Sequence, residues 1–97
     1  MRLSKVGKRT KSSTIILIKA ESKFENTRIG YTVSKKVGNA VVRNLVKRRL
    51  KSISRMFEEQ IPPNIELVII AKQEASTASF EVLKRDLRYC LTKILAA

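Results

Sequence analysis

Side chains that ordinarily carry out covalent chemistry are scarce in this sequence. It has no His and one Cys, so no imidazole base, no Ser–His or Cys–His pair and no structural zinc site can be assembled. Glu21, Glu25, Glu58, Glu59, Glu66, Glu74, Glu81 and Asp86 are scattered, with no spacing that gathers carboxylates round a metal. Cys90 lies among Leu87, Leu91 and Ile94 and reads as core packing rather than a reactive thiol. What the sequence does offer is positive charge. Between Lys35 and Arg55 there are eight Lys or Arg residues and no acidic one.

The element that positions those cations is an amphipathic helix. At 100° per residue, Val42, Val46, Leu50, Ile53 and Phe57 fall within an arc of about 80°, whereas Arg43, Asn44, Lys47, Arg48, Lys51 and Arg55 spread over about 140° opposite. Gly38 and Asn39 mark its start, Gly for the turn and Asn as a cap for exposed amides. It runs to about Gln60, where Pro62 and Pro63 stop it, with Glu58 and Glu59 unfavourably placed for the helix dipole. An ordinary solvated face mixes signs. Here Arg43/Lys47, Lys47/Lys51 and Lys51/Arg55 are like-charged i,i+4 neighbours, each destabilising by a few tenths of a kcal/mol, and a bound polyanion offsets that.

Elsewhere the chain supplies a sheet and a second helix. Residues 14–20 are a β-branched run apolar on both faces, with Ile15 and Leu17 on one side and Ile16 and Ile18 on the other. Residues 24–27 form a polar connection. A second strand spans 28–34, with Ile29, Tyr31 and Val33 toward the core and Arg28, Gly30, Thr32 and Ser34 on an open face. Residues 65–72 are uniformly apolar and read as a central strand. After a loop at 74–78, Ser79 caps a last helix with Phe80, Leu83, Leu87, Leu91 and Ile94 as its core stripe. The order β-β-α-β-α, with a possible extra strand or helical remnant before it, predicts an α+β, two-layer α/β sandwich. Residues 1–13 read as a basic arm or the remnant of a first helix, and the whole of 1–97 as one domain.

Lys plus Arg number 21 against 8 Asp plus Glu, a net charge of +13 on 97 residues. That balance points to nucleic acid, with an anionic membrane as the rival polyanion. No stretch of about 18 apolar residues can span a bilayer. The single Cys is consistent with a cytoplasmic location. Three classes remain on these grounds: an RNA-processing subunit, a structural RNA-binding protein such as a ribosomal component, and a peripheral membrane module. The third requires the apolar helix face to be free for lipid, although a small core needs that face. A nuclease acting by itself is weaker still.

The segment Ser34 to Lys51, S-K-K-V-G-N-A-V-V-R-N-L-V-K-R-R-L-K, resembles the signature of the bacterial ribonuclease P protein subunit, S-K-K-x-G-N/K-A-V-x-R-N-R-x-K-R-x-x-R. The match is dense over Gly30 to Lys51 and looser to the C-terminus. Leu45 departs from it, standing where the family has the second Arg of R-N-R. Val6-Gly7-Lys8-Arg9 resembles the turn after the family's first helix, so the chain is expected to begin within or after that helix, without its aromatic pair. The resemblance implies a ribosomal-protein-S5-domain-2-like fold, with a left-handed β-α-β crossover round the basic helix. It also implies binding to the catalytic RNA of ribonuclease P and to precursor tRNA. The ribonucleoprotein removes the 5′ leader with magnesium ions held through the RNA, and no catalytic or metal residue is expected here. No membrane and no obligate protein partner is implied. Carried over by position, Lys35, Lys36, Asn39, Arg43, Asn44, Lys47, Arg48 and Lys51 are the expected contacts to the catalytic RNA. Ile16, Ile18, Arg28 and Thr32 are those expected of a leader cleft, although Arg28 and Thr32 read equally well as ordinary exposed strand residues.

Overall fold

The computed structural model describes residues 8–21, 28–63 and 65–96. Four strands form one sheet: β1 (Lys8–Lys11), β2 (Ile15–Glu21), β3 (Arg28–Thr32) and β4 (Ile65–Ala71), in the order β1-β2-β4-β3. β1 is antiparallel to β2 and β2 to β4, whereas β3 and β4 run parallel, so the sheet is mixed. The crossover joining those parallel neighbours contains the helix α1 (Ala40–Met56), and the chain closes with α2 (Phe80–Ala96). β4 lies between β2 and β3, as its apolar character on both faces requires.

Alternation along the strands sorts the two faces. Ile15, Leu17, Leu67, Ile69 and Ala71 are buried against Val46, Leu50 and Ile53 of α1 and Leu83, Leu87, Cys90, Leu91 and Ile94 of α2, in one cluster. Both helices therefore cover the same side of the sheet, and Ile29, Tyr31 and Val33 pack at its margin. Cys90 is fully buried, and burial pushes its thiol pKa up. It belongs to the core.

Local chemistry sets the helix ends. Asn39 is extended, and its side-chain oxygen accepts from the Val42 N–H at 3.0 Å. Ser79 does the same for α2, accepting from the Val82 N–H at 3.2 Å. α1 stops earlier than the Pro pair suggests. The Phe57 N–H bonds back to Ser54 O at 3.2 Å, turning the Phe57 ring into the core, and Glu58–Gln60 form a separate 3-10 turn. The expected loop at 74–78 contains another 3-10 turn, Gln73–Ser76, because fully buried Ala75 draws the chain against the core.

Two features of the strands matter for the site. Of the alternatives open before the β-β-α-β-α order, the extra strand is the one present: residues 8–11 are an edge strand, registered on β2 from Lys8↔Lys19 to Lys11↔Ile16. Ser12–Thr14 make the hairpin turn, so Thr14 lies before the strand it was expected to open. There, Thr14 Oγ1 and Ser13 Oγ donate to the buried Asp86 carboxylate of α2 at 2.5 and 3.1 Å. The second strand also ends at Thr32 rather than Ser34, because a turn closed by Val37 N–H to Ser34 O (3.0 Å) bends the chain and buries Val37. The remaining expectations for 1–7 and 24–27 lie outside the described residues.

Candidate nucleic-acid interface

The cations of α1 are presented by a helix whose other side is fixed. Val46, Leu50 and Ile53 are buried, so the apolar stripe is unavailable to a lipid surface. Asn44, Lys47, Arg48, Lys51 and Arg55 are exposed on the outer side, and Lys35 and Lys36 are exposed in the turn leading to it. Among the described residues none of these cations has a carboxylate within ion-pair distance, the recorded ion pair being Arg85–Asp86. Lys51 Nζ lies 6.0 Å from the ring centre of Tyr31, whose hydroxyl is 2.6 Å from Ser54 Oγ. These contacts hold the cationic strip beside the β3 edge.

Not every candidate is equally open. Arg43 is half-buried, and its Nε is buried with no hydrogen-bond partner among the described residues. Asn39 is exposed, but its oxygen is occupied as the helix cap, leaving its amide group to meet a ligand. Arg49, inside the motif, donates to Ala78 O at 3.2 Å and ties α1 to the segment before α2. Leu45 is 39% exposed and flanks the cationic strip with the exposed Val41 and Met56, at the rim of the packed face. Gly38 is needed for close approach. A Cβ there would lie 2.8 Å from Val42 Cγ1 and 2.9 Å from Val42 Cβ, just where the helix begins.

The open side of the sheet carries the second group. Register aligns Ile16 with Ile70 and Thr32, Ile18 with Val68 and Gly30, and Ala20 with Glu66 and Arg28. Residues opposite one another share a face, so Ile16, Ile18, Val68 and Ile70 make an apolar strip bounded at β3 by exposed Arg28 and Thr32. Ile16 and Ile18 are half-buried. The same register puts Arg9 and Lys11 at the other margin, opposite Ile18 and Ile16. An open depression of about 350 Å³ lies there, lined by Arg9, Lys11, Ile16 and Lys72. Lys72 is held by its Nζ, which donates to Ser12 O at 3.1 Å, and by its N–H, which donates to Thr14 O at 2.8 Å.

Sequence reasoning missed these three cations. A signal existed: Arg9-Thr10-Lys11 has the period of a strand, Ser12-Ser13 is a turn, and a β-branched run follows. Lys72 gave none, because only the β2–β4 pairing brings it to the hairpin.

The described acidic residues form no group of three that could hold a metal ion. Among the described residues Asp86 is the one buried carboxylate, and it is directed to the hairpin turn. Burial alone would raise its pKa. Hydrogen bonds from Thr14 and Ser13, with the charge of Arg85, outweigh burial and hold it below the ordinary aspartate value. The molecule thus offers two electropositive margins at opposite edges of one sheet, with an apolar strip between them. No described helix is long and apolar enough to cross a membrane.

The family model for Ribonuclease P matches residues 1–95. The ribonuclease P protein component of Nocardioides sp. is 37% identical over 91 residues, covering 91% of this chain and 78% of that protein. That of Syntrophomonas wolfei is 34% identical over 80 residues, covering 82% and 67%. Among solved structures, the Staphylococcus aureus RNase P protein superposes with a TM-score of 0.84 at 27% identity, covering 94% of this chain and 84% of that one. The RNase P protein from Thermotoga maritima gives 0.84 at 25% identity, covering 95% and 87%.

Proposed function

Because the chain belongs to the ribonuclease P protein family, we propose that it is the RNA-binding subunit of that tRNA-processing ribonucleoprotein and holds two RNAs at once. The outer face of α1 binds the catalytic RNA through Lys35, Lys36, Asn39, Arg43, Asn44, Lys47, Arg48 and Lys51. The open sheet face receives the 5′ leader of precursor tRNA along Ile16 and Ile18, between Arg28 and Thr32 at one margin and Arg9, Lys11 and Lys72 at the other. The observation that carries this reading is the outer face of α1, cationic along its length and without ion-paired carboxylates among the described residues.

The chemistry follows from what these residues can do. Arg and Lys neutralise phosphates, and Asn44 can hydrogen-bond a base edge or a 2′-hydroxyl. Apolar strand side chains pack against unstacked bases, and the flanking cations fix the backbone on either side. The chain supplies no imidazole, and its one thiol is buried in the core. Its described carboxylates do not suit a protein-held magnesium ion. The reading therefore places the catalytic centre and the magnesium ions with the RNA, in the cytoplasm. The protein contributes by lowering repulsion between two polyanions.

Reconstitution with a bacterial ribonuclease P RNA and a precursor tRNA at low magnesium tests this. The protein should raise leader cleavage and cleave nothing alone. Cleavage by rigorously RNA-free protein, or no effect on the RNA-catalysed reaction, overturns the reading.

A further inference from the structure

One side of the β1–β2 hairpin is not used by the leader path just described. Lys8 and Lys19 are directly opposed in the ladder, and like charges so placed destabilise a strand pair. The next pair on the same side is Thr10↔Leu17, and Leu17 is buried under the helices. Lys8 and Lys19 therefore point to the helical side of the sheet, away from Arg9 and Lys11. α2 packs against β1 there and is pinned to the hairpin turn through Asp86. On the helix wheel Lys93 lies about 20° and Tyr89 about 60° from Asp86, so both lie on the hairpin side of α2. Tyr89 is 51% exposed, and Lys93 Nζ lies 5.7 Å from its ring centre. Among the described residues neither Lys8, Lys19 nor Lys93 has an ion-paired carboxylate. Asp86, the nearest acid along α2, is turned inward to Thr14 and Ser13.

An exposed aromatic ring near three ammonium groups that have no ion-paired carboxylate among the described residues suits single-stranded RNA, one base on the ring and phosphates on the lysines. We infer that a precursor leader long enough to cross the open sheet face turns round the β1 edge and continues onto this side, with a base stacked on Tyr89 and its backbone held by Lys8, Lys19 and Lys93. The inference rests on the leader reading of the open face and extends it. Arg9 and Lys11 on one side of β1, and Lys8 on the other, give a strand of phosphates a continuous cationic route round that edge.

The assembled ribonucleoprotein tests it with two precursor tRNAs, carrying leaders of about 4 and about 15 nucleotides, against mature tRNA. Tyr89→Ala should weaken binding of the long-leader precursor about 5- to 160-fold, the range of one base–aromatic stack, and leave the short-leader precursor within about twofold. Tyr89→Phe should restore the long-leader affinity. Lys93→Gln should lower the log–log salt slope by about 0.7 for the long leader only. Long-leader binding by Tyr89→Ala within about twofold of wild type, or an equal loss on both leaders, overturns the inference. Failure of the open-face reading would look different: wild-type protein would not prefer even the short-leader precursor to mature tRNA.

Discussion

Asp86→Asn tests how the hairpin bearing Arg9 and Lys11 is fixed. The carboxylate is 5% exposed and accepts from Thr14 Oγ1 and Ser13 Oγ. Asn preserves the shape and can still accept from Thr14, so the loss is chiefly that of charge. Hydrogen bonds to an ionised group contribute about 1.5–3 kcal/mol and neutral ones about 0.5–1.5, a difference near 1 kcal/mol for each of the two. Ser13 is exposed and its share smaller, giving a loss of about 1–2 kcal/mol near neutral pH, or roughly 5–15 °C in Tm for a domain of this size. The pH dependence has a definite sign. The folded-state pKa of Asp86 is depressed. Its stabilisation is present above the unfolded aspartate value, near pH 4, and is lost as pH falls through the lower folded value. Urea or thermal melts of both proteins from pH 7 downward should show a full gap above about pH 5 that closes in acid. A gap under about 0.5 kcal/mol at pH 7, or one that persists unchanged in strong acid, would refute the argument that charge on Asp86 ties down the turn.

Three further outcomes are expected. If α1 neutralises five to eight phosphates, the salt slope for catalytic-RNA binding should lie near −4 to −7, and Arg43→Ala or Lys47→Ala should each flatten it by about one with under about 1 kcal/mol lost in melts; an unchanged slope in both places the RNA site elsewhere. Leu45→Arg should cost under about 1 kcal/mol, because Leu45 already stands at the rim and an Arg stem can lie along the packed stripe, while RNA binding tightens by one phosphate contact; a melting loss of 2 kcal/mol or more would put Leu45 in the core. Gly38→Ala should destabilise by about 1–3 kcal/mol, since its Cβ would meet Val42 at the first turn of α1, and a melt indistinguishable from wild type would refute that contact.

Helix chemistry was legible in the sequence because it is local. The stripe from Val42 to Phe57, the Asn39 and Ser79 caps and the segregation of cations all follow from the i→i+4 repeat and appear in the structure where spacing put them. Leu45 was legible too: at 100° per residue it lies about 100° from the centre of the apolar stripe, at the rim where the structure places it. Strand faces were readable for the same reason, since a period of two needs no knowledge of the partner. Ile15 and Leu17 went to the core, while Ile16 and Ile18 went to the other side. The apolar run at 65–71 announced a central strand without revealing its neighbours.

Tertiary structure alone decided who those neighbours are. β4 enters between β2 and β3 from far along the chain, antiparallel to one and parallel to the other, and no local pattern encodes such a choice. That insertion brings Lys72 to the hairpin turn and completes the depression with Arg9 and Lys11. Docking of α2 brings Asp86 to Thr14, 72 residues away, and fixes Lys8–Lys11 as an edge strand where charge alone suggested a free arm. Periodicity records which side of an element is apolar. Which element covers that side is settled by packing of the whole core, where apolar burial and satisfied backbone groups select among pairings that look alike from any single segment.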